Sequence, residues 1–155
     1  DLFNFPGLRL APTREKSREI NRIPAPKIII AGSGMMNGGR IMYHLERYLP
    51  DPRNTLLIIG YQAQHTPGRQ ILSGQKWVGL LNRSVPVRAT VKAIGGFSAH
   101  ADQKKLLSWI GRGKQLGRIC LVHGDEDNMA IFADKLTADI KIPVNMPKYG
   151  ETIII

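Results

Sequence analysis

The chain has 155 residues, of which 43% are apolar, with 22 Lys and Arg against 12 Asp and Glu for a formal charge of +10. That length accommodates one domain with a true core or two partial ones, and 16 glycines and 10 prolines scattered without a period exclude a collagen-like or disordered chain. The apolar runs fall far short of the roughly 18–20 residues of a membrane span, and no basic-then-apolar leader opens the sequence, so a soluble, cytoplasmic protein with no membrane partner is expected.

The excess charge is uneven. Residues 1–27 carry six basic and three acidic side chains, residues 28–94 eight and two, and residues 95–155 eight and seven. The positive field therefore belongs to the middle segment and favours a polyanion such as nucleic acid, although a basic surface also serves solubility. A single cysteine, Cys120, cannot close an internal disulfide, and its place in Ile119-Cys120-Leu121-Val122 predicts a buried structural thiol.

In chain order, residues 1–27 hold Pro6, Pro12, Pro24 and Pro26 and are expected to be irregular, apart from a helix over 13–21 capped by Thr13. The β-branched run Lys27-Ile28-Ile29-Ile30-Ala31 predicts a buried strand. It leads into Gly32-Ser33-Gly34-Met35-Met36-Asn37-Gly38-Gly39-Arg40 and then a helix with Ile41, Leu45 and Tyr48 or Leu49 on one face, stopped by Pro50-Asp51-Pro52. This loop offers backbone N–H groups at a helix N-terminus, the Ser33 hydroxyl, the Asn37 amide and the Arg40 cation, all suited to a phosphate. It matches neither the dinucleotide fingerprint nor a P-loop, and a second reading, in which the glycines only make a tight turn, stands beside the first.

Residues 54–60 predict a second, fully buried strand, followed by a turn and a short helix near Arg69 and Leu72. Strand, helix, strand, helix with continuous apolar strands points to a parallel sheet. His44 lies inside the preceding helix and His65 in the polar connection after the strand; neither has ligand-like company, so both read as packing or surface residues. Residues 85–94 alternate and carry Arg88 and Lys92, which predicts an antiparallel or edge strand, with a boundary between two units near Asn82-Arg83-Ser84. Beyond it, Asp102 caps a helix through Leu106, Leu107 and Ile110, and Asp127 or Asn128 starts another through Ile131, Phe132 and Leu136. A strand at Val144-Asn145-Met146 and the run Thr152-Ile153-Ile154-Ile155 follow.

His100 and His123 each come after a β-prone run and before a helical segment, so both are expected at strand ends, the edge at which open α/β sheets bind ligands. A histidine there serves as metal ligand, as general acid or base, or as a satisfied structural residue. Asp102 and Asp125, close behind, favour metal or acid–base chemistry. The four side chains nevertheless lack the tight spacing of a self-contained zinc motif, which needs about four ligands.

Four motifs in order, Ile30-Ala31-Gly32-Ser33-Gly34-Met35-Met36-Asn37-Gly38-Gly39-Arg40, Leu57-Ile58-Ile59-Gly60-Tyr61-Gln62-Ala63, Phe97-Ser98-Ala99-His100-Ala101-Asp102 and Leu121-Val122-His123-Gly124-Asp125-Glu126, resemble the β-CASP branch of the metallo-β-lactamase superfamily, the RNA-processing nucleases. The resemblance covers nearly the whole chain. It implies an α/β fold: the parallel-sheet, C-terminal part of a β-CASP domain over residues 1–82, then the C-terminal αβ part of a metallo-β-lactamase (αββα) fold over 83–155. It also implies that His100 protonates the leaving oxygen, supported by Ser98 and Asp102, and that His123 is a zinc ligand. Gly32, Ser33, Gly34, Asn37 and Arg40 would hold a phosphate of single-stranded RNA.

The cofactor implied is a pair of zinc ions whose bridging water is brought toward a pKa of about 7 for attack on phosphorus. The His-x-His-x-Asp-His motif that supplies most of the family's zinc ligands is absent from these 155 residues. The expectation is therefore the C-terminal half of a zinc-dependent ribonuclease, inactive alone, whose partners are RNA and the missing N-terminal half, with a homodimer left open. A non-catalytic RNA-binding or scaffold protein of the same fold and a DNA-directed relative are the alternatives.

Overall fold

The computed structural model of the chain describes residues 3–96 and 100–154 and divides into two units, Asp1–Gly96 and Phe97–Ile155. The first opens on helix α1 (Arg14–Glu19), where the Thr13 hydroxyl accepts the Lys16 amide at 3.2 Å, the N-cap that the sequence predicts. A 3-10 turn (Ile20–Arg22) follows, and then α2 (Ile41–Tyr48), β1 (Thr55–Ile58), α3 (Pro67–Leu72), β2 (Trp77–Leu80), β3 (Arg83–Pro86) and β4 (Thr90–Ala93). Strands β1 and β4 pair in parallel, Thr55 opposite Thr90 and Ile58 opposite Ala93, while β2 and β3 form an antiparallel hairpin with Leu80 opposite Arg83.

Leu45 and Leu49 of the α2 stretch, Ile58 of β1, Ile71 of α3, Val78 and Leu80 of β2 and Val85 of β3 bury together as one apolar cluster. The opening segment is tied to α2 by polar contacts. Ser17 Oγ lies 3.0 Å from His44 Nε2, Tyr48 donates its hydroxyl to Asn21 Oδ1 at 3.0 Å, and the Lys27 ammonium sits 5.2 Å from the Tyr48 ring centre. His44 is thus a packing residue, as read from the sequence.

Three strand expectations change. Residues 27–31 form no ladder among the described residues: Ile29 is half covered, while Ile28 and Ile30 are 91% and 89% exposed. Among the described residues β1 takes its partner from β4, so this β-branched run has no strand beside it. Strand β1 is covered on one face only, with Ile58 buried and Leu57 and Ile59 exposed. The single strand expected over 85–94 is two, because the Arg88 and Ala89 amides both turn to the Leu49 carbonyl at 2.9 Å and break the ladder between them. Strand β2 was not foreseen; four residues including Gly79 give little periodicity. The expected boundary near Asn82-Arg83-Ser84 falls inside the first unit, at the tip of the β2–β3 hairpin, where Leu81 and Asn82 both take positive φ (50° and 60°), the two-residue turn that suits twisted hairpins.

The second unit contains α4 (Gln103–Ile110), β5 (Ile119–Cys120), α5 (Glu126–Ile140) and β6 (Val144–Asn145). Strands β5 and β6 pair in parallel, Ile119 opposite Val144, and the Leu121 amide extends the ladder to Asn145 O at 2.8 Å. Ile110 and Leu136 are buried. Cys120, expected inside, is exposed, since two strands cover only one of their faces. Among the described residues no helix is long and apolar enough to cross a membrane.

Burial first, and then the charges of Arg40 and Lys27, hold the His44 imidazole below its ordinary value of 6.5. The unfolded chain therefore takes up a proton at about pH 6.5, where the folded chain does not. The stability contributed is full above that value and is lost as the pH falls from there through the folded value. Asp51, brought down to about 2 by hydrogen bonds from Arg53, titrates well below this window. Thermal midpoints taken at about pH 7.5 and about pH 5.5 should fall less for His44→Gln than for the parent. An equal drop in both would show that His44 does not carry the effect.

Candidate functional site

Loop 32–40 is folded by its own hydrogen bonds. The Ser33 amide donates to Gly38 O at 3.3 Å, Met36 N to Ser33 O at 3.1 Å, and Ile41 N to Gly32 O at 3.2 Å. The Ser33 hydroxyl shares its proton between Asn37 Oδ1 at 2.9 Å and Gly38 O at 3.2 Å. Gly39 is required here: its φ is +76°, and a Cβ would lie 2.5 Å from Gly32 O. Met36, at φ 61°, turns its side chain into the apolar cluster and anchors the loop.

The amides of Gly34, Met35, Asn37, Gly38 and Gly39 find no acceptor among the described residues, and Gly34, Asn37 and Gly39 are exposed. Such clustered donors suit an anion. Of the five residues expected to hold a phosphate, Gly32, Ser33, Gly34 and Asn37 are thus brought together. Arg40 stands at the N-cap of α2, but its guanidinium donates to the carbonyls of Ala11 and Thr13, so one of its arms pins the opening segment.

A residue that sequence reasoning did not single out holds this loop from beneath. Gln62, 2% exposed, places its side-chain nitrogen 3.0 Å from Gly34 O, 3.1 Å from Gly60 O and 3.0 Å from Tyr61 O. Among the described residues its buried oxygen finds no hydrogen-bond partner, a condition that costs about 1–3 kcal/mol. Gly68 of α3 leaves room for that oxygen and donates its amide to Met35 O at 3.2 Å. Gln62 falls in the second of the four family motifs, residues 57–63, but its residue type alone gives no sign of this role.

In the second unit, His100 is exposed and lies two residues before Asp102. The Asp102 carboxylate accepts the Lys105 amide at 2.7 Å and so fixes the start of α4, as its expected capping role requires. Ser98, named as a supporting residue, lies outside the described residues. His123 is exposed, with φ of 62°, in the connection from β5 to α5. Asp125 takes the N-cap position of α5 without a side-chain cap, while Asn128 approaches its carboxylate at 3.5 Å. Among the described residues no three His, Cys, Asp or Glu side chains come together as a metal site would need. The donor set present does not by itself fit a zinc ion.

Two protein families match the chain in succession: a Beta-Casp domain over residues 2–71 and a Zn-dependent metallo-hydrolase RNA specificity domain over residues 84–147. Ribonuclease TTHA0252 of Thermus thermophilus is 41% identical over 97% of this chain, which spans 34% of that protein. The transcription termination factor FttA of Methanocaldococcus jannaschii is 35% identical over 89% of the chain, and RNase aCSPSF2 of Saccharolobus solfataricus 33% identical over 81%. The chain spans 23% and 25% of those two relatives. With both domains matched in order, the chain belongs to the β-CASP branch of the metallo-β-lactamase superfamily.

Proposed function

We propose that the chain is the C-terminal part of a zinc-dependent ribonuclease, in which residues 1–82 complete a β-CASP domain and residues 83–155 return to the metallo-β-lactamase domain. The names of the relatives and the zinc-dependent, RNA-specificity description of the second family support this reading. The observation that carries it in the chain itself is loop 32–40. Unpartnered amides at its exposed rim lie within a segment of eight basic and two acidic side chains, a setting for the backbone of RNA.

In this reading Gly32, Ser33, Gly34, Asn37 and Arg40 serve one phosphate in different ways. Gly34 and Asn37 offer main-chain donors. Ser33 and Gly32 shape the loop, and the arm of Arg40 not held by Ala11 and Thr13 supplies charge. His100 is the proton donor to the leaving oxygen, with Asp102, which caps α4, and Ser98 as its supporting residues by resemblance. His123 would be one metal ligand among several, the rest of which the described residues do not supply. RNA and the remainder of the enzyme are the partners in this reading, with self-association open to the same measurements.

For the phosphate loop, single-stranded RNA should bind weakly, without sequence preference, and much less tightly as salt rises, because counterion release dominates such contacts. Titrations at two salt concentrations should show weaker binding for Ser33→Ala and for Arg40→Ala. Affinity unchanged by both would return the glycines to a purely structural turn.

For the histidines, the complete enzyme is the material. His100→Ala should lower the rate by about 10²–10⁴-fold while metal stays bound, the usual worth of a positioned proton donor. His123→Ala should lower metal content and rate together. Equal loss of zinc from both variants, measured after dialysis, would remove the proton-donor role from His100.

A further inference from the structure

We infer that Gln62 is the positioning residue of the phosphate loop: its buried side-chain amide locks the main chain of loop 32–40 to the end of the β1 segment, so that the loop's free N–H groups point outward together. This rests on the phosphate-binding reading above. Three carbonyl oxygens, Gly34 O, Gly60 O and Tyr61 O, lie at 3.0–3.1 Å from one side-chain atom, which must therefore be the donor nitrogen. Its two hydrogens serve all three, and the bond to Gly34 spans 28 residues. Gly34 is the first of the donor cluster in the chain and one of its three exposed residues, and its carbonyl accepts from buried Gln62.

The other end of the same amide explains a glycine. A Cβ at position 68 would lie 1.7 Å from Gln62 Oε1 and 3.2 Å from Met35 O, so no side chain fits there while the amide keeps its place. In an ordinary helix the exchange Gly68→Ala would be favourable. The glycine thus gives up helix propensity to admit an oxygen that has no partner. Two independent features, the triple acceptance at the nitrogen and the space left for the oxygen, converge on one orientation of one side chain. No shorter residue reaches Gly34, and a carboxylate in its place would set negative charge against three carbonyl oxygens.

The test replaces the donor by one that pH can restore. In Gln62→Glu the introduced carboxyl, ordinarily near about 4.3 and raised by burial, is a poor fit when charged but donates a hydrogen bond when protonated. The acceptors of the amide nitrogen are main-chain carbonyls, of Gly34, Gly60 and Tyr61, which do not titrate. Amide spectra and single-stranded RNA titrations would be recorded on the intact chain at about pH 8 and about pH 5, parent beside variant.

At the higher pH the amide signals of Gly34, Asn37 and Gly39 should move in Gln62→Glu and RNA affinity should fall roughly threefold to tenfold, the worth of one hydrogen bond. At the lower pH both should return toward the parent, a recovery that simple loss of packing would not show. Loop amides identical to the parent at high pH would overturn the inference. Loop amides that move and return while affinity stays at the parent level would uphold the positioning role and overturn the phosphate reading instead. Should Gln62→Glu fail to fold, Gly68→Ala displaces the same amide while Gln62 is retained. The same three signals should move, with no further change on adding Gln62→Ala, and undisturbed loop signals would overturn the inference.

Discussion

The carbonyl of Leu49 is the point on which the first unit turns. It belongs to the last turn of α2, whose final carbonyls have no partner within the helix, and Pro50 behind it forbids another turn. Two amides from one remote stretch, Arg88 and Ala89, fill that need at 2.9 Å each, while the Leu49 side chain is itself fully buried. Capping the helix in this way draws the chain out of the β2–β3 hairpin and delivers it to β1 as β4. Helix end, hairpin exit and parallel pairing are therefore one event, and a carbonyl left bare at this depth would destabilise all three.

The opposite end of α2 carries the glycine loop, so the packing of Leu45 and Leu49 also sets where the loop's donors stand. Met36 reinforces this by entering the same cluster from within the loop. Polar contacts then fasten the opening segment across the outer face of the helix, through Ser17 to His44 and Asn21 to Tyr48. The cost is a buried imidazole beside two cations, which is tolerable only while it stays neutral. Loop geometry and pH response thus share one helix.

What the sequence made legible follows the range of the interactions involved. Helices with a local cap, α1 at Thr13 and α4 at Asp102, stand where their first residues predict, because the decisive hydrogen bond closes over three residues. Strands depend on a partner elsewhere. Ile28-Ile29-Ile30 has the composition of a buried strand, yet among the described residues it has no ladder. Trp77-Val78-Gly79-Leu80 is too short, and broken by a glycine, to show a period, and it does have a ladder. Leu81 at a left-handed turn position hid the hairpin that Asn82 alone suggests. Cys120 failed for the same reason as Ile28: apolar neighbours in sequence do not supply a second layer in space.

The glycine loop was legible as a motif, but its chemistry is divided differently from what residue types suggest. Ser33 and Asn37, which look like ligand contacts, spend their polar groups on each other and on Gly38, and Arg40 spends one arm on Ala11 and Thr13. The donors left over are main-chain amides, whose aim depends on backbone shape rather than on side-chain reach. Shape in turn comes from Gly39, which alone tolerates the approach to Gly32 O, and from Gln62 underneath. Main-chain amides aimed by backbone shape suit a charged phosphate backbone, and such contacts carry no sequence information. The side chains that give the motif its appearance act mostly to hold the main-chain amides that the proposed phosphate contact would use.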